Sequence, residues 1–294
     1  MPHVEMSRDA TTFTIPPSAL EGLSARSREC IERLRLHQAD SVDISAQPSS
    51  KLAAVLVLLY ERAGDLRVLL TTRSKTLRSH PGQTALPGGK VDDTDDDVLS
   101  TAYREAHEEV NLPLNSPHVH PICVLRPFVS AYKLIVTPVV ALLDDLTVLD
   151  GLKACEGEVD HIFDHPLEAL LDPELARKEK LVPRGSEHWP YEEELHNTSD
   201  NQVSWLGVYR MHRFRSTASP VKGLTTDILI MTAEIAYDKQ PTYERWHPSQ
   251  LGYGAVDHVL KEAREALQGN GHAASIEGAV ASSPSTPASE AAAT

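Results

Sequence analysis

The chain has 294 residues and a formal net charge of −14, with 42 acidic against 28 basic side chains. That length allows one large or two small domains with a sizeable core, and the acidic balance excludes a protein that holds nucleic acid through a basic surface. The three cysteines, Cys30, Cys123 and Cys155, are scattered without CxxC spacing, which indicates neither a zinc site nor a disulfide framework and fits a reducing compartment.

Residues 1–16 are polar and irregular. From Pro17 the spacing of Leu20, Leu23, Ile31, Leu34 and Leu36 predicts one helix, capped by Ser18, within an N-terminal extension over 1–50. Lys51 to Tyr60 (KLAAVLVLLY) and Leu66 to Thr72 (LRVLLTT) flank a turn at Gly64-Asp65 and read as a hairpin of buried strands. Pro81-Gly82 and Pro87-Gly88-Gly89 then leave no room for helix or long strand. A helix follows, opened by the acidic residues Asp95 to Asp97 and closed near Asn111, which tolerates the left-handed cap conformation.

Val119 to Leu125 and Leu134 to Leu143 read as further strands, with Pro121 and Pro138 marking edges or bulges. Pro166 to Leu171 starts a short helix, and the charged, aperiodic residues 173–202 read as a surface insertion. A strand over Val203 to Phe214, an amphipathic helix over Thr226 to Tyr237 opened by Thr225 or Thr226, and a helix in VDHVLKEAREAL complete the pattern. Residues 51–268 thus predict a single α/β domain with a mixed sheet between helices. Residues 269–294, rich in Ala, Ser, Pro and Gly, lack the apolar surface to order themselves and predict a disordered tail. The longest apolar run, Leu52 to Tyr60, is too short to cross a bilayer, and no hydrophobic signal region opens the chain. An intracellular soluble protein, with no membrane or nucleic-acid partner, is expected.

The chemistry concentrates in residues 82–112. On a helix, Glu105, Glu108 and Glu109 stand at i, i+3 and i+4 and share one face, while Leu99, Ala102, Tyr103, Ala106 and Val110 form an apolar stripe further round. Three like charges on neighbouring turns repel by a few tenths of a kcal/mol per pair. A divalent cation such as Mg²⁺, which takes carboxylate oxygens, would compensate; a solvated acidic face is the alternative these residues leave open. The aspartates at 92, 93 and 95–97 suggest a calcium loop, but counting from Asp93 puts Val98 at the position needing Gly and Arg104 at the position needing Glu. An EF-hand is therefore excluded, and these aspartates are expected to cap the helix or lie in water. His80, His161 and His165 show no ligand spacing with cysteines and read as surface residues, and Cys123 as a small buried apolar one.

Gly-Gly, an acidic loop and REAHEEVNL resemble the Nudix hydrolase box, with Arg104, Glu105, Ala106, Glu108, Glu109, Val110 and Leu112 in matching places. Asn111 stands where the box has its second Gly. The usual loop Glu is absent, Asp95 or Asp96 being nearest, and the loop is one residue longer, as in the coenzyme A diphosphatase branch. Upstream, LLTTRSKTLRSHPGQTALPGG (69–89) is similar to the coenzyme A signature of that branch, matching at Leu70, Thr71, Arg73, Ser74, Arg78, Gly82, Pro87, Gly88 and Gly89, with Leu86 for the usual Phe. Residues 209–230 resemble the C-terminal part of fungal, peroxisomal-type members.

The resemblance implies a Nudix α/β/α sandwich, Mg²⁺ or Mn²⁺ dependence, and cleavage of the diphosphate of coenzyme A and acyl-coenzyme A to 3′,5′-ADP and (acyl-)4′-phosphopantetheine. It assigns Glu105, Glu108 and Glu109 to the metal and Glu158 to a general base or extra ligand. Arg104 would orient the carboxylates through a bidentate pair. Gly88 and Gly89 would let the backbone, with the carbonyl of one of them, approach the metal. Arg73 and Arg78 would fork onto the coenzyme A phosphates, and Lys222 to Thr225 would join the nucleotide pocket. Activity on ADP-ribose or NADH, or a binding module without catalysis, are the competing readings; a homodimer and a peroxisomal, cytoplasmic or mitochondrial location stay open.

Overall fold

The computed structural model describes residues 13–40 and 42–265; the tail predicted over 269–294 lies outside them. Strand β1 (Leu52–Arg62) and β2 (Asp65–Arg73) form the expected hairpin. Its two-residue loop is Ala63-Gly64, both at positive φ (54° and 83°), the loop class whose twist matches paired strands. The main sheet has the order β3–β2–β1–β7–β5, where β3 is Thr84–Ala85, β4 Gly88–Lys90, β5 Val119–Val124, β6 Phe128–Val129 and β7 Ile135–Leu143. Short β4 pairs with β1, β6 with β7, and β8 (Val159–Pro166) with β2. Only β1 and β7 run parallel, so the sheet is mixed.

Both faces of β1 are buried, which is why its sequence is continuously apolar. Ala54, Leu56, Leu58 and Tyr60 pack with Ala102, Ala106 and Val110 of helix α3 (Val98–Val110). Val57 and Leu59 face the opposite layer, where Ile31 and Leu34 of α2 (Ala25–Leu36) meet Ile228 and Leu229 of α5 (Gly223–Tyr237). Helix, sheet, helix is the α/β/α order expected. Pro138 is tolerated within β7 because it falls in the gap between two partners: pairing with β5 ends at Val124–Val139 and pairing with β6 begins at Phe128–Val136. Pro121 sits at a β-bulge in β5.

Four details depart from the sequence reading. The N-terminal helix is two, α1 (Pro17–Glu21) and α2, because Ser24 caps α2 through Ser27 N–H (3.2 Å) and donates its own N–H and hydroxyl to Glu61 (2.9 and 2.8 Å). No side chain caps α1. Within 173–202, Trp189 is fully buried with its indole N–H on the Glu193 carbonyl (2.7 Å), and His196–Val203 is strand β9. It forms a second sheet with β10 (Gly207–Phe214) and β11 (Val221–Lys222), so the strand read over 203–214 begins later, after a turn. Helix α5 starts at Gly223 and is buried nearly all round rather than amphipathic. His165 is 1% exposed and lies in the core, not on the surface. After α4 (Thr147–Asp150) and the second sheet, residues 255–265 form the last described helix.

Candidate active site

Helix α3 carries the acidic face and is fixed at both ends. The Asp97 carboxylate accepts the Ser100 N–H (2.7 Å), and Asn111 adopts the left-handed conformation (φ 58°, ψ 34°) as Leu112 N–H closes on Ala106 O (3.3 Å). With Ala102, Ala106 and Val110 pinned to the sheet, the three glutamates line the helix flank at graded depth. The Glu109 residue is 8% exposed, whereas the Glu105 and Glu108 side chains are 17% and 51% exposed.

The two glycines before the helix make the approach possible. A Cβ on Gly88 would lie 2.4 Å from the Ala54 carbonyl oxygen and 2.6 Å from Val55 Cα, so only glycine lets β4 press against β1 here. A Cβ on Gly89 would lie 2.4 Å from the Glu105 carboxyl group. The Gly88 N–H donates to Glu109 Oε2 at 3.2 Å. The sequence points to a glycine carbonyl at this site; the contact observed is the amide of Gly88 on the buried acid.

Arg104 makes its bidentate pair with Asp95 and reaches the helix glutamates through single contacts. Its Nε and Nη2 each lie 2.9 Å from an Asp95 oxygen, Nη1 reaches Glu105 (3.0 Å) and Glu108 (3.2 Å), and Nη2 also donates to Lys90 O (3.1 Å). Asp95 therefore belongs to the site: its side chain is 4% exposed, and the Arg104 hydrogen bonds hold its carboxyl down near 2 against the effect of burial. The sequence signal was present in the acidic loop, but nothing local distinguished Asp95 from its neighbours.

Burial pushes the Glu109 carboxyl up to about 7, reinforced by the charges of Glu105 and Glu158 and opposed by the Gly88 amide and Arg73. Glu105 is also raised, chiefly by burial, against the pull of Arg104. Glu158 and Arg73 are thus within electrostatic reach of Glu109. Glu158 is exposed on the turn before β8, a turn tied to α3 by Lys153 N–H on Val110 O (3.0 Å) and Cys155 N–H on Glu109 O (2.9 Å). Arg73, half-buried at the end of β2, donates Nε to Ser79 O at 3.4 Å. Arg78 is exposed on the following turn with no ion-pair partner among the described residues.

A divalent cation suits this donor set: hard carboxylate oxygens on neighbouring turns, two of them with ionisation opposed by burial, beside a glycine where any side chain would strike Glu105. With Arg104 drawing Glu105 and Glu108 aside, no three Asp, Glu, His or Cys side chains converge on one point among the described residues.

A junction of buried hydroxyls, unmarked in the sequence, joins the two sheets. Ser219 Oγ lies 2.8 Å from Thr72 Oγ1 and 2.7 Å from Thr84 Oγ1, and Thr84 also donates to Ser219 O (2.9 Å). All three residues are buried, and they join β2 and β3 to the segment leading into β11.

Residues 50–185 match the NUDIX domain. The chain is 35% identical to Nudix hydrolase 15, mitochondrial, of Arabidopsis thaliana over 66% of its own length and 61% of that protein. It is also 35% identical to Nudix hydrolase 22, chloroplastic, of the same plant, covering 72% of this chain and 63% of the relative. It is 30% identical to the peroxisomal coenzyme A diphosphatase NUDT7 of Mus musculus, covering 72% of this chain and 81% of that one. The chain spans less than two thirds of the length of the two Arabidopsis relatives. It belongs to the Nudix family. Among the described residues no helix is long and apolar enough to cross a membrane.

Proposed function

We propose that this chain hydrolyses the diphosphate bond of coenzyme A and acyl-coenzyme A, releasing 3′,5′-ADP and (acyl-)4′-phosphopantetheine. The observation that carries this reading is the path of residues 69–89, which match the coenzyme A signature. They run from β2 through the Arg73–Gly82 turn to the glycines seated against Glu105 and Glu109. A segment that resembles a coenzyme A signature thereby borders the acids that would do the chemistry. The 30% identity to a peroxisomal coenzyme A diphosphatase supports the same substrate.

Glu105, Glu108 and Glu109 would hold Mg²⁺ or Mn²⁺. Such an ion, when bound, neutralises diphosphate oxygens and lowers the pKa of water. The protein's own residues account for the rest. Arg104 fixes the approach angle of Glu105 and Glu108, and the Gly88 amide fixes Glu109. Arg73 and Arg78 offer planar donor forks to phosphate oxygens. Glu158 has the exposure and the proximity to Glu109 to take the proton from an attacking water as the P–O bond to the leaving phosphate breaks.

The test is product analysis with coenzyme A, acyl-coenzyme A, ADP-ribose and NADH, with and without Mg²⁺ or Mn²⁺. Release of 3′,5′-ADP that requires the ion is expected, with ADP-ribose and NADH turned over more slowly. Glu109→Gln is expected to lose several kcal/mol of transition-state stabilisation, about a thousandfold in rate. Near-normal turnover in both Glu108→Gln and Glu109→Gln would overturn the metal-holding assignment. Equal rates on all four substrates would overturn the coenzyme A reading.

A further inference from the structure

At the end of the main sheet that carries Gly88 and Gly89 lies a cavity of about 40 Å³, enclosed by β6, β10, the start of α5 and residues 246–256. Phe128, Leu206, Leu224, Tyr253 and Val256 give it apolar walls. The Tyr253 ring stands edge-on to Phe128 (centroids 6.1 Å apart) and to Trp246 (5.3 Å), which fixes that wall. Asp227 also lines the cavity. It is 8% exposed, and its Oδ2 accepts the Tyr209 O–H at 2.7 Å. Burial pushes its pKa up to about 6. No step proposed above uses this acid.

The sheet register places this cavity relative to the acids. Phe128 pairs with Val136, Val136 with Ala53, and Ala53 with Lys90 of β4. The Phe128 wall therefore stands three strand spacings, about 14 Å, from the strand of the two glycines. The arm that joins the diphosphate of coenzyme A to its sulfur is peptide-like. It has about four residues' worth of backbone bonds and spans about 14 Å when extended. A diphosphate held at the glutamates would thus bring the sulfur within reach of the cavity. One water needs about 10–15 Å³ of such space, so the cavity holds about three non-hydrogen atoms, the number in an acetyl group. The walls suit a methyl group, and the buried Asp227 carboxyl suits a donor such as the last amide N–H of the arm.

We propose that this cavity receives the sulfur end of the arm, as the free thiol or carrying a short acyl group, and turns longer acyl chains away. The inference rests on the coenzyme A reading above and adds a limit on chain length to it. Leu224, half-buried in the first turn of α5, acts as the specificity residue. Leu224→Ala would free the space of about three carbon atoms, enough to turn a seat for acetyl into one for pentanoyl.

Titration calorimetry of the full chain in chelator, with 4′-phosphopantetheine and its S-acetyl and S-pentanoyl forms as probes, tests the cavity without any hydrolysis. Burial of one methyl group predicts that the S-acetyl form binds about fourfold more tightly than the free thiol. Overpacking predicts that the S-pentanoyl form binds about fivefold to a hundredfold more weakly than the S-acetyl form. Leu224→Ala should bring S-pentanoyl level with S-acetyl or beyond it. Leu224→Phe, which fills the cavity, should bring S-acetyl down to the free thiol or below it. In turnover, kcat/KM for pentanoyl-coenzyme A relative to acetyl-coenzyme A should shift in the same direction in each variant. Equal binding of the S-acetyl and S-pentanoyl forms by the unaltered chain, or a ranking that neither variant moves, would overturn the proposal and leave the cavity to water. If no coenzyme A were hydrolysed, the functional reading would fall while the titration still judged the cavity.

Discussion

Glu109, proposed as a metal ligand, sits where burial works against its charge and so against folding stability. It is the deepest of the three acids, and its ionisation is opposed by burial more than it is helped by the Gly88 amide and Arg73. Glu109→Gln keeps an acceptor for that amide while removing the charge. The melting temperature of this variant in chelator is therefore expected to equal or exceed that of the unaltered chain, while the rise on adding Mg²⁺ disappears. Thermal scans in EDTA and in Mg²⁺ check both, and an unchanged Mg²⁺ response would contradict the role given to Glu109. Gly89→Ala should behave in the opposite way. Its Cβ would meet the Glu105 carboxyl group at 2.4 Å, so a loss of about 1–3 kcal/mol in denaturant unfolding and a fall in turnover are expected together.

Helix α3 was legible in the sequence because its information is local: Asp97 and Asn111 mark the ends, and the apolar stripe at Ala102, Ala106 and Val110 sets the buried face. The caps can be tested separately. Asp97→Ala should cost about 1 kcal/mol through the lost Ser100 contact. Asn111→Gly should be neutral or stabilising, and Asn111→Ala destabilising by about 1 kcal/mol, because the position is left-handed. Equal stability of the two Asn111 variants would refute the cap. The elements that were misread depend on distant partners. Trp189 is the exception, its indole bonding the Glu193 carbonyl only four residues on within the same aperiodic stretch. Helix α5 reads as amphipathic until α2 on one side and the second sheet on the other cover it, placing Asp227 in the core with Tyr209 O–H on its carboxylate (2.7 Å). Asp95 likewise gains its role only when Arg104, nine positions on, folds back over it.

At the scale of the whole molecule, the core histidine shapes the response to acid. Both ring nitrogens of His165 lack partners among the described residues, and burial pushes its pKa down to about 4. In the unfolded chain the group takes a proton near 6.5, so its contribution is intact above that pH and is lost progressively as pH falls towards 4, by about 3 kcal/mol. Asp227 and Glu109, raised to about 6 and about 7, act in the opposite sense, so the comparison must be differential. His165→Leu should gain stability relative to the unaltered chain as pH drops from 6.5 to 4, read from urea unfolding at several pH values. A constant difference across that range would show that His165 does not titrate as its burial dictates.

The Ser219, Thr72 and Thr84 junction has a consequence for ionic strength. It fastens the two sheets with uncharged hydroxyls sealed from solvent, whereas Arg73 and Arg78, proposed for the substrate phosphates, are half-buried and exposed. Salt screens the second and leaves the first untouched. On the proposed function, recognition and architecture are thereby decoupled: rising salt should weaken phosphate capture while the joint between the sheets stays closed.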